Sequence, residues 1–90
     1  MKLSQTAAEA IAIDALSFLA SDPEVMQRFI ASTGIDPDAI REDAAKPGFL
    51  AGVMHHIVEN ESLLIEFAAS AGLKPEQVAA AAQALGVRWE

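Results

Sequence analysis

Cysteine is absent from this chain of 90 residues. Disulfide bonds, zinc sites built on thiolates and thiol catalysis are therefore excluded, and the core must hold by packing alone. A chain without cysteine suits a reducing compartment, and we expect a cytoplasmic protein. The first residues also lack a basic region followed by a continuous apolar run, so a secretory signal is not expected.

Basic residues are scarce, with six Lys and Arg against 13 Asp and Glu, which gives a net charge of −7. The basic residues are scattered singly along the chain: Lys2, Arg28, Arg41, Lys46, Lys74 and Arg88. Because neutralising phosphates needs clustered Lys and Arg, no nucleic-acid partner is expected. Many of the acids instead fall at predicted helix caps and first turns, where carboxylates accept hydrogen bonds from free backbone N–H groups.

Long hydrophobic runs are missing as well. No window approaches 18 uncharged apolar residues, and the hydrophobic fraction of 52% reflects nineteen alanines. We therefore expect no membrane span and a soluble protein. Ninety residues predict a single domain over 1–90, which buries only about 60 to 65% of its unfolded surface and leaves little room for an active-site cleft.

An internal repeat at an offset of 38 residues is the main positive feature of the sequence. It pairs Asp22–Ala45 with Asn60–Gln83, and it matches Phe29 with Phe67 and Gly34 with Gly72. Such a period is typical of one supersecondary unit used twice. Two copies are too few for an open solenoid, so we expect two units, 4–45 and 47–85, to close on each other around one core.

Helix start and stop signals predict six short helices. Their expected ranges are about 4–20, 23–33, 36–45, 47–58, 61–71 and 75–85. Thr6 and Glu9 are spaced as a capping box in the first helix, and Asp22 and Asn60 are expected to cap the second and fifth. Gly34 and Gly72 are expected to end those two helices with positive φ.

Apolar spacing also predicts the interior. The fourth predicted helix carries Leu50, Val53, Met54, Ile57 and Val58 at i, i+3, i+4, i+7 and i+8, which is the pattern of a buried helix face. No segment alternates with period two, so no sheet is expected. The sequence predicts an all-α protein, a compact bundle of about six short helices built from two similar three-helix units.

The order and spacing of turn residues and apolar residues resemble those of a family of short alanine-rich bacterial proteins that is classed as a domain of unknown function. The residues that carry the resemblance are Arg28, Phe29, Ala31, Ser32, Gly34, Ile35, Pro37, Ile40, Arg41, Pro47, Phe49, Leu50, Ala51, Val53, Leu63, Leu64, Phe67, Gly72, Leu73 and Pro75. The resemblance implies the helical fold over essentially the whole chain. It implies no activity, cofactor or catalytic residue.

One group of residues resembles metal ligands: His55, His56 and Glu59. A single helical turn supplies at most two or three ligands, and a zinc or di-iron site needs others from facing helices. The repeat partners of these residues are Ser17, Phe18 and Ser21, so no second half-site exists. A structural or surface role is the favoured interpretation, and a metal site or an enzyme using this region is the alternative.

Three other patterns do not lead to a chemical function. The Phe29–Ile40 and Phe67–Val78 segments resemble a helix-turn-helix motif. In a DNA-binding motif the second helix carries polar and basic side chains that contact bases and phosphates, whereas here it carries mainly acids and alanines. The acids from Asp36 to Asp43 lack the spacing of a calcium loop. No glycine-flanked nucleophile or phosphate-binding glycine loop is present, so we predict no catalytic residue, no cofactor and no small-molecule substrate.

Three large apolar residues fall outside the predicted core stripes: Ile13, Ile65 and Trp89. Aromatic anchors often carry interface energy, so the three are a candidate interaction surface for a protein partner or for self-association. The alternative is that Trp89 and Val87 fold back to seal the core. The sequence is best interpreted as a small noncatalytic cytoplasmic module that acts through protein contacts.

Overall fold

Five α-helices are present in the computed structural model, which describes residues 3–34, 36, 38, 42 and 47–86. They are α1 (Gln5–Ala20), α2 (Pro23–Thr33), α3 (Pro47–Glu59), α4 (Glu61–Ala71) and α5 (Pro75–Ala84). No strand occurs in the described residues, and the all-α class is confirmed. The expected count of about six helices in two three-helix units is not matched. The helix predicted over 36–45 falls outside the described residues, apart from three isolated positions.

The start of α1 differs from the expected capping box. Ser4, not Thr6, is the N-cap residue, and its side-chain oxygen accepts a hydrogen bond from the Ala7 N–H at 3.1 Å. Ser4 has extended backbone angles, as an N-cap residue must, whereas Thr6 already lies inside the helix. The helix therefore begins two residues earlier than a Thr6 cap would place it.

Two helices have the same length and the same end signals, as the repeat predicts. Both α2 and α4 contain 11 residues. Asp22 Oδ1 accepts from the Glu24 N–H at 3.0 Å, and Asn60 Oδ1 accepts from the Leu63 N–H at 3.2 Å. At the other ends, Gly34 and Gly72 adopt φ of 69° and 70°. These local predictions are confirmed because caps and left-handed glycines depend on a few adjacent residues.

The core lies around α1, which packs against all four other helices. Its buried stripe consists mainly of alanines, Ala8, Ala12 and Ala15, together with Leu19. The α5 helix packs on α1 and also buries small residues, Ala81 and Ala82. Most of the larger core side chains come from the other helices, while α5 adds Val78; those from the other helices include Phe29, Leu50, Val53, Met54, Ile57 and Phe67. Small residues on α1 and α5 let the two backbones approach closely.

The length and polarity of the helices bear on whether the chain can span a bilayer. A span needs about 20 mostly apolar residues. None of the helices in the part of the chain that the structure describes is long and apolar enough to cross a membrane.

Candidate functional site

The two adjacent histidines lie in different environments because successive residues of a helix point about 100° apart. His55 faces the outside of α3, and its Nε2 lies 3.0 Å from Glu59 Oε1, one turn further along the same helix. Both side chains are about half exposed, at 45% and 58%. Exposed i, i+4 pairs of this kind contribute only a few tenths of a kcal/mol. His55 and Glu59 therefore form a surface pair.

His56 faces α2 and contacts the ring of Phe29. The two ring centroids lie 5.3 Å apart, with the planes at 70°. Phe29 also meets Phe49 of α3 at 6.3 Å and 86°. Both are edge-to-face arrangements, which aromatic pairs favour. His56 therefore belongs to an aromatic cluster, made of Phe29, Phe49 and His56, that joins α2 to α3.

The position of His56 lowers its pKa below the ordinary value of 6.5. Burial is the main cause, because a charged imidazole loses hydration there. The Glu59 carboxylate acts in the opposite direction and raises the pKa, while His55 adds to the lowering. The imidazole is therefore neutral at pH 7.

A solvent-open groove of about 310 Å³ runs beside His56, between the start of α2 and the start of α4. It is lined by Asp22, Val25, Arg28, His56, Asn60, Ser62, Leu63 and Glu66. Asp22 and Asn60 already use a side-chain oxygen to cap their helices. Arg28 and Glu66 are exposed and form no ion pair with each other. The groove is polar at its rim, and its carboxylates outnumber its single guanidinium.

In the described residues, His55, His56 and Glu59, the group considered as an alternative metal site, are not arranged around one point. The structure brings His55 to Glu59 but turns His56 toward Phe29. Across the described ranges, no three His, Cys, Asp or Glu side chains are grouped so that they could hold a metal ion. The pair that remains would offer two ligands, fewer than a zinc site needs from the protein.

Two residues of the predicted interaction surface are exposed on different helices. Ile13 on α1 is 48% exposed, and Ile65 on α4 is 52% exposed. In the described part of the chain, these two are the exposed large hydrophobic side chains. Trp89, the third residue of the prediction, lies outside the described residues.

The comparisons with known proteins give one match. A family model with the description "Protein of unknown function (DUF3572)" covers residues 5–88, which include all five helices. The chain belongs to this family. No curated protein and no solved structure matches the chain.

Membership of the DUF3572 family confirms the resemblance found in the sequence. The resemblance assigned no chemical role to His55 or His56. The sequence did not predict the contact between His56 and Phe29, because residues 27 positions apart show no shared pattern in a single chain. The apolar spacing of α3 did indicate that His56 lies beside Phe49 and Val53 at the edge of the core, and this was the only sign in the sequence that His56 is partly buried.

Proposed function

We propose that this protein is a noncatalytic cytoplasmic module that acts by binding another protein or a second copy of itself. The observation that supports the proposal is the exposure of Ile13 and Ile65, each about half open to solvent. Covering apolar surface stabilises a complex by about 25 cal/mol per Å², before the entropic costs of association are subtracted. The exposed part of each isoleucine is apolar surface that is available to a partner.

The chemistry of the described residues gives less support to catalysis. His56 packs on Phe29, and His55 pairs with Glu59 on an exposed helix face. Neither arrangement places a nucleophile beside a base, which is the geometry that covalent catalysis needs.

Trp89 remains a part of the proposed surface. Tryptophan is enriched among the residues that dominate binding energies, because its large ring buries much area with little loss of conformational freedom. If Trp89 instead covers the core, its fluorescence emission is already blue-shifted in the monomer. If Trp89 belongs to the contact surface, its emission shifts to the blue only when a complex forms.

Sedimentation equilibrium of the purified protein tests self-association. We expect Ile13→Ser and Ile65→Ser to weaken the association of the parent, since each removes exposed apolar surface. Ala10→Ser on α1 and Ala69→Ser on α4 are matched controls, because both alanines are exposed and lie one turn from the isoleucines. Equal weakening by the alanine and isoleucine variants would contradict the assignment. A monomeric parent would restrict the proposal to a different protein as the partner.

The alternative function is metal binding, or an enzyme that uses His55, His56 and Glu59. One observation favours it, the distance of 3.0 Å between His55 and Glu59. A zinc titration followed by histidine NMR shifts and thermal melting separates the two proposals. Binding of zinc to the folded state raises the melting temperature by an amount that grows with the logarithm of zinc concentration over Kd, so a protein without a zinc site should show no such rise. Saturation at one equivalent would favour the alternative.

A further inference from the structure

Both exposed isoleucines have the same acidic surroundings in the sequence. Each has a glutamate one helical turn before it and an acid directly after it, an arrangement that we call the acidic frame. The two frames consist of Glu9, Ile13 and Asp14 on α1, and of Glu61, Ile65 and Glu66 on α4. They are not copies made by the 38-residue repeat, in which Ile65 corresponds to Gln27.

The acids of both frames lie near the isoleucines on the protein surface. Residues four apart on a helix are neighbours on the same face, so each isoleucine has a glutamate beside it, Glu9 or Glu61. The acids Asp14, Glu61 and Glu66 are exposed, and Glu9 is partly exposed. The isoleucines themselves are 48% and 52% exposed. Each isoleucine therefore presents apolar surface with carboxylates at its edge.

The helices that carry the frames contribute no basic residue to this surface. Neither α1 nor α4 contains Lys or Arg. The α2 helix differs, because its Glu24 is followed one turn later by Arg28. Arg28 also lines a groove together with Glu66, so it offsets part of the negative charge at the α4 frame. On α1 and α4 themselves, the charge of both frames is entirely negative.

We propose that the surface at Ile13 and Ile65 binds a basic partner, namely a segment of another protein that carries Lys or Arg beside apolar side chains. This inference rests on the proposed function and specifies the chemistry of the partner. Charges across a protein interface are arranged to be complementary. The apolar side chains of the partner cover the isoleucines, and its Lys or Arg side chains lie opposite Glu9 and Glu61.

The same charges disfavour a second copy of the chain as the occupant. A two-fold interface uses the same patch on both subunits, so it would bring the acids of one copy to face those of the other. Like charges placed opposite each other across an interface are costly. The net charge of −7 on each copy adds to this repulsion. A basic partner gains from the charges that a second copy must overcome.

Binding of a synthetic probe tests the proposal. The probe is a fluorescently labelled helical peptide with leucine on one face and lysine on the other, and fluorescence anisotropy measures its affinity. We expect the parent protein to bind it, with chemical-shift changes in NMR spectra at the amides of α1 and α4. A peptide with glutamate in place of lysine should not bind. Oligolysine of equal charge should bind more weakly, because it lacks an apolar face.

Paired variants show whether the frames themselves carry the binding. Glu9→Gln with Glu61→Gln should weaken binding of the leucine and lysine peptide about two- to tenfold at low salt, and the difference should shrink as salt is added. Glu24→Gln with Glu76→Gln is the matched control, because it removes the same charge from exposed acids in other helices. It should have little effect. Thermal melting verifies that each variant is folded.

The outcomes separate this proposal from the proposed function. Equal weakening by the two pairs of variants, a contact that maps to other helices, or no binding of the peptide would overturn the basic partner. A parent dimer that Ile13→Ser and Ile65→Ser dissociate, and that added salt strengthens, would also overturn it while supporting an interaction module. Peptide binding that Ile13→Ser and Ile65→Ser leave unchanged would count against both, since neither would then depend on the isoleucines.

Discussion

At the scale of single residues, the neighbours supplied by other helices decide what a side chain does. His55 and His56 are adjacent in sequence, yet one lies at the surface beside Glu59 and the other packs on Phe29. The helical period predicts that they diverge. It does not predict that Phe29 covers His56, because that contact depends on how α2 packs against α3.

Gly34 and Gly72 permit a test of backbone strain without a change in packing. Both have positive φ, and an added Cβ would meet no atom within 4 Å. Gly34→Ala and Gly72→Ala should therefore each lower the free energy of unfolding by about 1 kcal/mol, through backbone strain alone. Denaturant unfolding measures this loss.

Gly52 is the matched control for this prediction. It lies inside α3, it does not have positive φ, and an added Cβ would again meet no atom within 4 Å. Gly52→Ala should raise the stability by about 0.5 to 1 kcal/mol, since alanine favours helix where glycine does not. A loss of stability in Gly52→Ala, or a gain in Gly34→Ala, would contradict the backbone explanation.

At the scale of helices, the sequence predicted boundaries better than buried faces. The ends of α2 and α4 follow from Asp22, Asn60 and the two glycines, which act over one turn. The buried face of an alanine-rich helix has no such signal. Ala12 is completely buried while Ala10 of the same helix is exposed, so the presence of an alanine does not indicate which face of a helix is buried.

The packing of α1 on α5 gives a prediction at this scale. Ala12 is completely buried on α1, while Ala10 is exposed on the opposite side of the same helix. Ala12→Leu should destabilise the protein by about 1 to 3 kcal/mol, because there is no room for the larger side chain. Ala10→Leu should change the stability by less than about 0.5 kcal/mol. Similar effects of both changes in thermal and denaturant unfolding would show that α1 does not pack closely at Ala12.

At the scale of the whole molecule, the repeat predicted equivalent helices but not equivalent packing. Phe29 and Phe67 are repeat partners and both are buried. Phe67 packs on Phe18 of α1 at 5.5 Å, however, whereas Phe29 packs on Phe49 and His56 of α3. The two phenylalanines meet different neighbours because α2 and α4 pack against different helices, and the residues around each phenylalanine do not specify that contact.

For the candidate surface of Ile13 and Ile65 too, the sequence predicts local exposure but not the contact with another molecule. Ile13 and Ile65 break the apolar period of their helices, and this local irregularity correctly predicted that both are exposed. Which molecule covers them depends on a second surface. The residue pattern of this chain does not specify the surface of the partner, so the partner must be identified by experiment.

The most direct test of the proposed function is the size of the assembly that contains the protein in an extract of its native cells. Size-exclusion chromatography would compare the parent with a variant carrying Ile13→Ser and Ile65→Ser, and with a control carrying Ala10→Ser and Ala69→Ser. We predict that the parent and the control elute in an assembly larger than the monomer, and that the isoleucine variant elutes as the monomer. A parent that elutes as the monomer, or an isoleucine variant that stays in the assembly, would contradict the account.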